Sequence, residues 1–208
     1  GSPMAVQDRK QREFRRREQD ILTAALELCS TPEWESVTVG QIADRAEIGK
    51  GTVYKHFVSK DELLFRLMMD FYHGLLWMLR DDMTAGSPKE KLRYAVDRSL
   101  RYHIEHKEYR YVVEYCERID FKERANPAWR GDFLELDRAF QAWGVPIMEA
   151  GMDAGEFQRQ PPERVIRVTG SRRQIYQAPG SGSCGKTGYK GRIPLFENMP
   201  NSPALRKA

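Results

Sequence analysis

The stretch from Val37 to Leu64, VTVGQIADRAEIGKGTVYKHFVSKDELL, carries two helix-start signals with a short, interrupted helical period between them. Thr38 followed by Gln41 is a capping box: the threonine oxygen takes an orphan amide of the first turn while the glutamine reaches back, so a helix begins at Val39 and runs to about Ala46. Ile42, Ala43 and Ala46 give it a narrow apolar face. Glu47-Ile48-Gly49 breaks the period, and Lys50-Gly51-Thr52-Val53-Tyr54-Lys55-His56-Phe57 resumes it with Val53 and Phe57 four apart. Ile48, Val53 and Phe57 are its expected anchors. The other side of this second helix carries Lys50, Thr52, Tyr54, Lys55 and His56, a set of charges, hydroxyls and an aromatic rim suited to phosphates and base edges in a DNA major groove. Ser59 and Glu62 then repeat the capping box and launch a long third helix.

These residues resemble the TetR family of bacterial transcriptional regulators. The family pattern is an apolar first helix, T-V-x-x-I-A-x-x-A, a three-residue turn, x-G-x-x-Y-x-x-F and S-K-x-x-L. It is met by Ile21, Ala24, Ala25, Leu28, Thr38, Val39, Ile42, Ala43, Ala46, Gly51, Tyr54, Phe57, Ser59, Lys60 and Leu63. The resemblance implies an all-α protein, with an N-terminal three-helix helix-turn-helix DNA-binding domain followed by an α-helical ligand-binding and dimerisation domain. It also implies a palindromic double-stranded DNA operator, a homodimer and a repressor released by a small-molecule effector. Three positions depart from the pattern. Glu47 stands in the turn where glycine is usual and φ is often positive, and Gly49 replaces the usual Ser or Thr cap. Thr31-Pro32-Glu33-Trp34 follows the first helix where the family more often has Gly and a smaller aromatic, so Trp34 is read as the seal on the three-helix core.

The expected DNA contacts are Lys50, Gly51, Thr52, Tyr54, Lys55 and His56, with Thr38 and Lys60 on flanking phosphates. Arg9, Lys10, Arg12, Arg15, Arg16 and Arg17 crowd the segment before the first helix and are opposed there only by Glu13. Such a basic arm, Arg15 and Arg16 included, follows the phosphate backbone or enters a minor groove, adding affinity but little sequence information.

Composition excludes several other classes. The chain has 208 residues, 40% of them hydrophobic and 31% charged, enough for one or two cores under a heavily solvated surface. No apolar run approaches the ~18 residues of a membrane span, and no signal or transit pattern is present. Gly1-Ser2-Pro3 before Met4 resembles an expression remnant. Cys29, Cys116 and Cys184 are odd in number and scattered, which argues against a disulfide framework and for a reducing cytoplasm. His103 and His106 lie three apart, but no cysteine or carboxylate cluster completes a metal site, and neither metal nor cofactor is expected. Cys116 reads as a small buried hydrophobe rather than a redox sensor.

Beyond Leu64 the helical period continues to roughly Met83 and stops at Thr84-Ala85-Gly86-Ser87-Pro88. Further helices are expected from about Leu92 to His106, from Tyr109 to Lys122, and from Pro127 to Met152 with a kink at Pro146 near Gly144. Phe65, Met69, Tyr72, Trp77, Tyr102, Tyr109, Tyr115, Trp129, Phe133 and Trp143 are the candidate lining of an apolar pocket, although aromatic residues at helical spacing also build plain core. Residues 1–8 read as a flexible terminus, 9–58 as the DNA-binding domain, 59–170 as the helical ligand domain and 171–208 as an atypical basic Gly/Pro-rich tail. The helical pattern dissolves near Thr169, so the tail is expected to be disordered or out of frame, which bears on the dimer interface the family builds there. Gly180 to Thr187 matches G-x-x-x-x-G-K-[ST], the phosphate-cradling loop of nucleotide hydrolases, but lacks the buried strand before it and the helix after it. The chain is therefore expected not to be an enzyme. A regulator without an inducer is the main alternative, and a nucleotide-binding enzyme using the 180–187 loop a remote one.

Overall fold

A seven-residue helix cannot hold itself together in water, so the short helices after Val37 persist only if tertiary packing fixes them. In a computed structural model of the chain, which describes residues 3–82 and 85–162, that packing is present. Every regular element among the described residues is helical: α1 (Pro3–Cys29), a 3-10 turn (Pro32–Ser36), α2 (Val39–Arg45), α3 (Lys50–His56), α4 (Lys60–Asp81), α5 (Pro88–Glu105), a second 3-10 turn (Lys107–Tyr109), α6 (Arg110–Cys116), α7 (Ile119–Arg124) and α8 (Pro127–Asp153). The protein is all-α.

Cα proximity divides the chain into two units, Gly1–Phe71 with Glu105–Ala125, and Tyr72–Ile104 with Asn126–Ala208. The first unit contains α1 to α3, the first half of α4, and α6 and α7. Its core is made by Ile21, Ala25 and Cys29 of α1, Ile42 and Ala43 of α2, Val53 of α3, and Leu63, Leu64 and Leu67 of α4, all at most 2% exposed. The second unit consists of the rest of α4 with α5 and the described part of the remainder. There Leu75, Leu92, Leu136 and Phe140 are at most 1% exposed.

The capping chemistry read from the sequence is present in atomic detail. The Gln41 amide donates to Thr38 Oγ1 at 3.2 Å, and the Thr38 amide donates to Gln41 Oε1 at 2.9 Å, closing the box at the start of α2. At α4 the Glu62 amide donates to Ser59 Oγ at 3.2 Å, but the Glu62 carboxylate accepts from the Val58 amide, one residue earlier than a standard box. Glu47 adopts φ 57°, the left-handed conformation that disfavours any residue with a Cβ. Gly49 caps α3 with extended backbone and no side-chain acceptor.

The sequence misplaced two boundaries. The basic segment from Arg9 to Arg17 is no arm; it belongs to α1, a single helix of 27 residues whose first turns also take in residues 3–8, read from the sequence as a flexible terminus. The helix expected over Tyr109 to Lys122 is broken at Arg118, whose φ −64° and ψ 144° are extended. No glycine or proline marks that break. Instead the Arg118 guanidinium covers the Tyr115 ring at 5.7 Å and lies 3.9 Å from Glu35. The expected Pro127–Met152 helix is present as α8, which runs through Pro146, an exposed position. It ends at Gly155, φ 74°, with the Glu156 amide on the Gly151 carbonyl and the Gly155 amide on that of Met152, a Schellman closure. The expected start of a further helix from Glu163, the tail from 171 and the 180–187 loop with Cys184 lie outside the described residues.

Relieving the left-handed glutamate gives a direct test of the turn. Glu47→Gly is expected to raise stability by about 0.5–1 kcal/mol, roughly 1–4 °C in Tm, by thermal denaturation, whereas Thr38→Ala should cost about 1 kcal/mol.

Candidate nucleic-acid interface

The middle helix of the first unit has two sides with opposite tasks. Val53 (1% exposed) and Phe57 (3%) point into the core. Burying each contributes on the order of 1.5–3 kcal/mol, more than the propensity of so short a helix can supply, so these two residues set its orientation. The opposite side is open: Lys50, Gly51, Tyr54 and Lys55 are exposed and Thr52 is half-buried. Among the described residues no hydrogen bond or ion pair engages Lys50, Tyr54 or Lys55, so two cations and a phenol stand free on one face.

Gly51 sits in the middle of that face. A Cβ built there meets nothing within 4 Å, so no intramolecular contact calls for the missing side chain. Glycine inside a helix costs about 1 kcal/mol relative to alanine, and open space on the outward face is what close approach of another backbone requires.

His56 is a correction. Its side chain is only 3% exposed, its ring stacks on Phe14 with centroids 4.0 Å apart, and Nδ1 lies 3.6 Å from Glu18 Oε2, beyond hydrogen-bond reach. The imidazole is therefore a rivet between α3 and α1, turned away from the groove-facing side. Glu18 also meets Arg66 of α4 at 3.4 Å, so one carboxylate of α1 faces both α3 and α4. Nothing in local sequence announces this, because the partner Phe14 lies in the stretch that reads as a basic arm.

Lys60 is a second correction. Its ammonium donates to the carbonyls of Trp34 at 2.9 Å and Glu35 at 3.1 Å and lies 5.4 Å from the Trp34 ring centroid. Burial pushes its pKa below the usual lysine value. An ammonium so engaged closes the 3-10 turn after α1 instead of reaching a phosphate. Trp34 is buried, and packs against Tyr115 at 4.7 Å. Thr38 is exposed and its hydroxyl oxygen accepts from Gln41, leaving the hydroxyl hydrogen for an outside acceptor. Arg15 and Arg16 are exposed on α1.

The ten residues expected to line a pocket do not fall in one unit. Phe65, Met69, Tyr109 and Tyr115 belong to the first, and Tyr72, Trp77, Tyr102, Trp129, Phe133 and Trp143 to the second. Trp77 is 69% exposed, a surface residue of α4 and not a pocket wall. The Tyr115 hydroxyl donates to Asp61 Oδ1 at 2.8 Å and accepts from Arg124 at 3.1 Å, so it is already occupied. Tyr72 is fully buried with its ring against Phe140 at 6.5 Å, Tyr102 is 8% exposed, and Phe133 is half-buried. A groove of about 310 Å³ in the first unit is lined by Gln19, Leu22, Thr23, Leu26, Glu27, Ser30, Leu67, Asp70, Glu108 and Tyr109, of which Tyr109 alone was a candidate from the sequence. His103 Nδ1 donates to the Ser99 carbonyl at 2.7 Å. Cys116 is buried and its thiol pKa is pushed well up, first by burial and then by Asp61 and Glu117, which keeps it protonated.

A short helix riveted by one side and presenting bare cations and a phenol on the other, in a unit followed by a second helical unit, defines a helix-turn-helix DNA-binding regulator. Comparison with known proteins gives the family. Residues 21–67 match the model described as "Bacterial regulatory proteins, tetR family". The HTH-type transcriptional repressor KstR2 of Mycolicibacterium smegmatis is 30% identical over 144 residues, 68% of this chain and 67% of its own. Among solved structures, the TetR family transcriptional regulator PfmR of Thermus thermophilus superposes with a TM-score of 0.56 at 22% identity, covering 69% of this chain and 76% of that one. FadR of Bacillus subtilis, solved in complex with stearoyl-CoA, gives 0.56 at 20% identity over 70% and 76%. The chain belongs to the TetR family, and it is a DNA-binding transcriptional regulator, not an enzyme.

The two faces of α3 separate by mutation. Lys55→Ala should leave Tm unchanged while lowering DNA affinity and reducing the slope of log affinity against log salt by about 1. His56→Ala should lower Tm by removing the rivet. Gly51→Ala should raise helix stability by about 0.5–1 kcal/mol and still weaken DNA binding, a combination that separates space kept for DNA from space kept for folding.

Proposed function

We propose that the chain is an effector-controlled repressor that grips a palindromic operator as a homodimer, with the α3 of each subunit in successive major grooves about 34 Å apart. The observation that carries this reading is the outward face of α3, where Lys50, Gly51, Tyr54 and Lys55 are exposed beside buried Val53 and Phe57. Lys50 and Lys55 supply phosphate contacts, Tyr54 an aromatic and hydroxyl contact, Thr52 a hydroxyl at a base edge, and Gly51 the room for close approach. Thr38 and the exposed Arg15 and Arg16 add phosphate contacts from either side, the arginines from a helix instead of a loose arm. Repression as the direction of control is supported by the name of KstR2. Such a protein acts where the chromosome is, in a bacterial cytoplasm. No helix among the described residues is long and apolar enough to cross a membrane.

The effector is proposed to be a small, largely apolar molecule bound in the second unit. α4 contributes its first half to the unit that holds α3 and its second half to the unit that would hold the effector. A ligand favouring one setting of that continuous helix changes operator affinity by its differential binding, typically about 1–3 kcal/mol, one or two decades in occupancy.

Tyr54→Ala should abolish binding to a palindromic duplex selected from random sequence on the wild-type chain, with far-UV circular dichroism unchanged. Unaltered affinity would reject the assignment of this face. Sedimentation of the protein–duplex complex should give two chains per duplex.

A further inference from the structure

The second unit contains two buried polar atoms without partners. Ser99 is 0% exposed and Trp143 8%, and neither the Ser99 Oγ nor the Trp143 indole nitrogen makes a hydrogen bond. An unpaired buried donor carries its desolvation cost uncompensated, so folded chains ordinarily pair such groups or replace them with apolar ones. Two of them in one core mark a place where the partner comes from outside the chain.

The contacts of this unit put both residues at a similar level along it. A Cβ at Gly74 of α4 would fall 2.3 Å from Tyr102 Oη, and Arg98 reaches Met78 Sδ and Asp82 Oδ2, each at 3.1 Å. α4 and α5 are therefore antiparallel, and Ser99 stands level with α4 between Gly74 and Met78. The Tyr72 and Phe140 rings meet at 6.5 Å, while the Lys89 amide at the start of α5 donates to Glu156, just past the end of α8, at 2.7 Å. α8 thus runs alongside α4 in the same direction, which puts Trp143, one turn beyond Phe140, level with Leu75 and Leu76. At about 1.5 Å per residue, Ser99 and Trp143 lie within roughly one helical turn of each other along the unit. Met78 and Met148 are buried in the same unit, and unbranched thioethers reshape readily around an entering group.

We infer that Ser99 and Trp143 form the polar end of the effector site and bind a neutral carbonyl oxygen, of the ketone or ester kind, on an otherwise apolar molecule. The inference rests on the effector reading above and names its ligand class. An indole nitrogen only donates, so the ligand atom must accept; the serine hydroxyl can donate to the same oxygen. Charge is excluded by the surroundings. No charged side chain is among the buried residues described, and Arg98, next to Ser99 in the chain, is already held by Asp82 at 3.1 Å. An ionised carboxylate or phosphate placed here would be left without a counter-charge.

The test uses the full chain labelled with 15N at its tryptophan indoles, with 2-nonanone as the neutral probe and nonanoate as its charged match. 2-Nonanone should move the indole signal that Trp143→Phe removes, while nonanoate should not. Ser99→Ala and Trp143→Phe should each weaken 2-nonanone binding about fivefold, as loss of one hydrogen bond does, with Tm unchanged or higher because an orphan has been removed. Equal response to both probes, response only at another indole, unchanged affinity in both variants, or a fall in Tm in both would overturn the assignment. DNA binding in the same samples, on a duplex enriched from random sequence, distinguishes the two readings. Ketone binding at Trp143 that leaves DNA affinity untouched keeps the site and removes the effector role. DNA affinity that responds to ketone equally in wild type and Ser99→Ala keeps the role and removes the site.

Discussion

The DNA-binding unit depends on holding a seven-residue helix rigidly enough to present one face. α3 has a glycine at its N-cap, another in its interior and a left-handed glutamate just before it, so local propensity works against it throughout. What overrides propensity is burial of Val53 and Phe57, reinforced by the stacking of the His56 ring on Phe14. The unusual residues are tolerable because tertiary contacts, worth several kcal/mol together, outweigh roughly 1 kcal/mol of loss at each of them.

The same logic extends from α3 to its neighbours. Arg45 of α2 meets Glu27 of α1 at 2.7 Å, Lys60 closes the 3-10 turn that carries Trp34, and Tyr115 joins Asp61 of α4 to Arg124 of α7. The first two tie the DNA-binding helices to one another. The third ties the first turn of α4, immediately after the recognition helix, to a stretch contributed from much later in the chain. Surface pairs of this kind add little stability individually, so their value is geometric: they fix where short helices sit.

What the sequence disclosed, and what it hid, follow from the range of the interactions. Capping boxes, the turn and the alternation of Val53 and Phe57 with polar neighbours are local, so α2, α3 and the start of α4 were legible to within a residue or so. Tyr54 and Lys55 could be placed on the outward side for the same reason. The role of His56 was not legible, because its ring is claimed by Phe14 on another helix, and the basic run around Phe14 disguised that helix as an arm. Lys60 matched a phosphate-contact pattern, yet backbone carbonyls of the 3-10 turn occupy it. The break at Arg118 has no glycine or proline to announce it. In the second unit, aromatic spacing identified helices but not which face each residue takes, so exposed Trp77 and buried Tyr72 looked alike. Trp143 stood among the pocket candidates for its aromatic ring, but that its Nε1 and the Ser99 Oγ lack partners was not legible, since the absence of a partner is visible only in three dimensions.

The central claim is that the bare face of α3 is the surface that meets DNA, and backbone hydrogen exchange with and without a bound palindromic duplex tests it most directly. The account predicts slowed exchange concentrated in residues 50–56, with lesser protection at Thr38 and along the Arg15–Arg16 turn of α1. Protection confined to the second unit, with residues 50–56 exchanging as fast on DNA as off it, would contradict it.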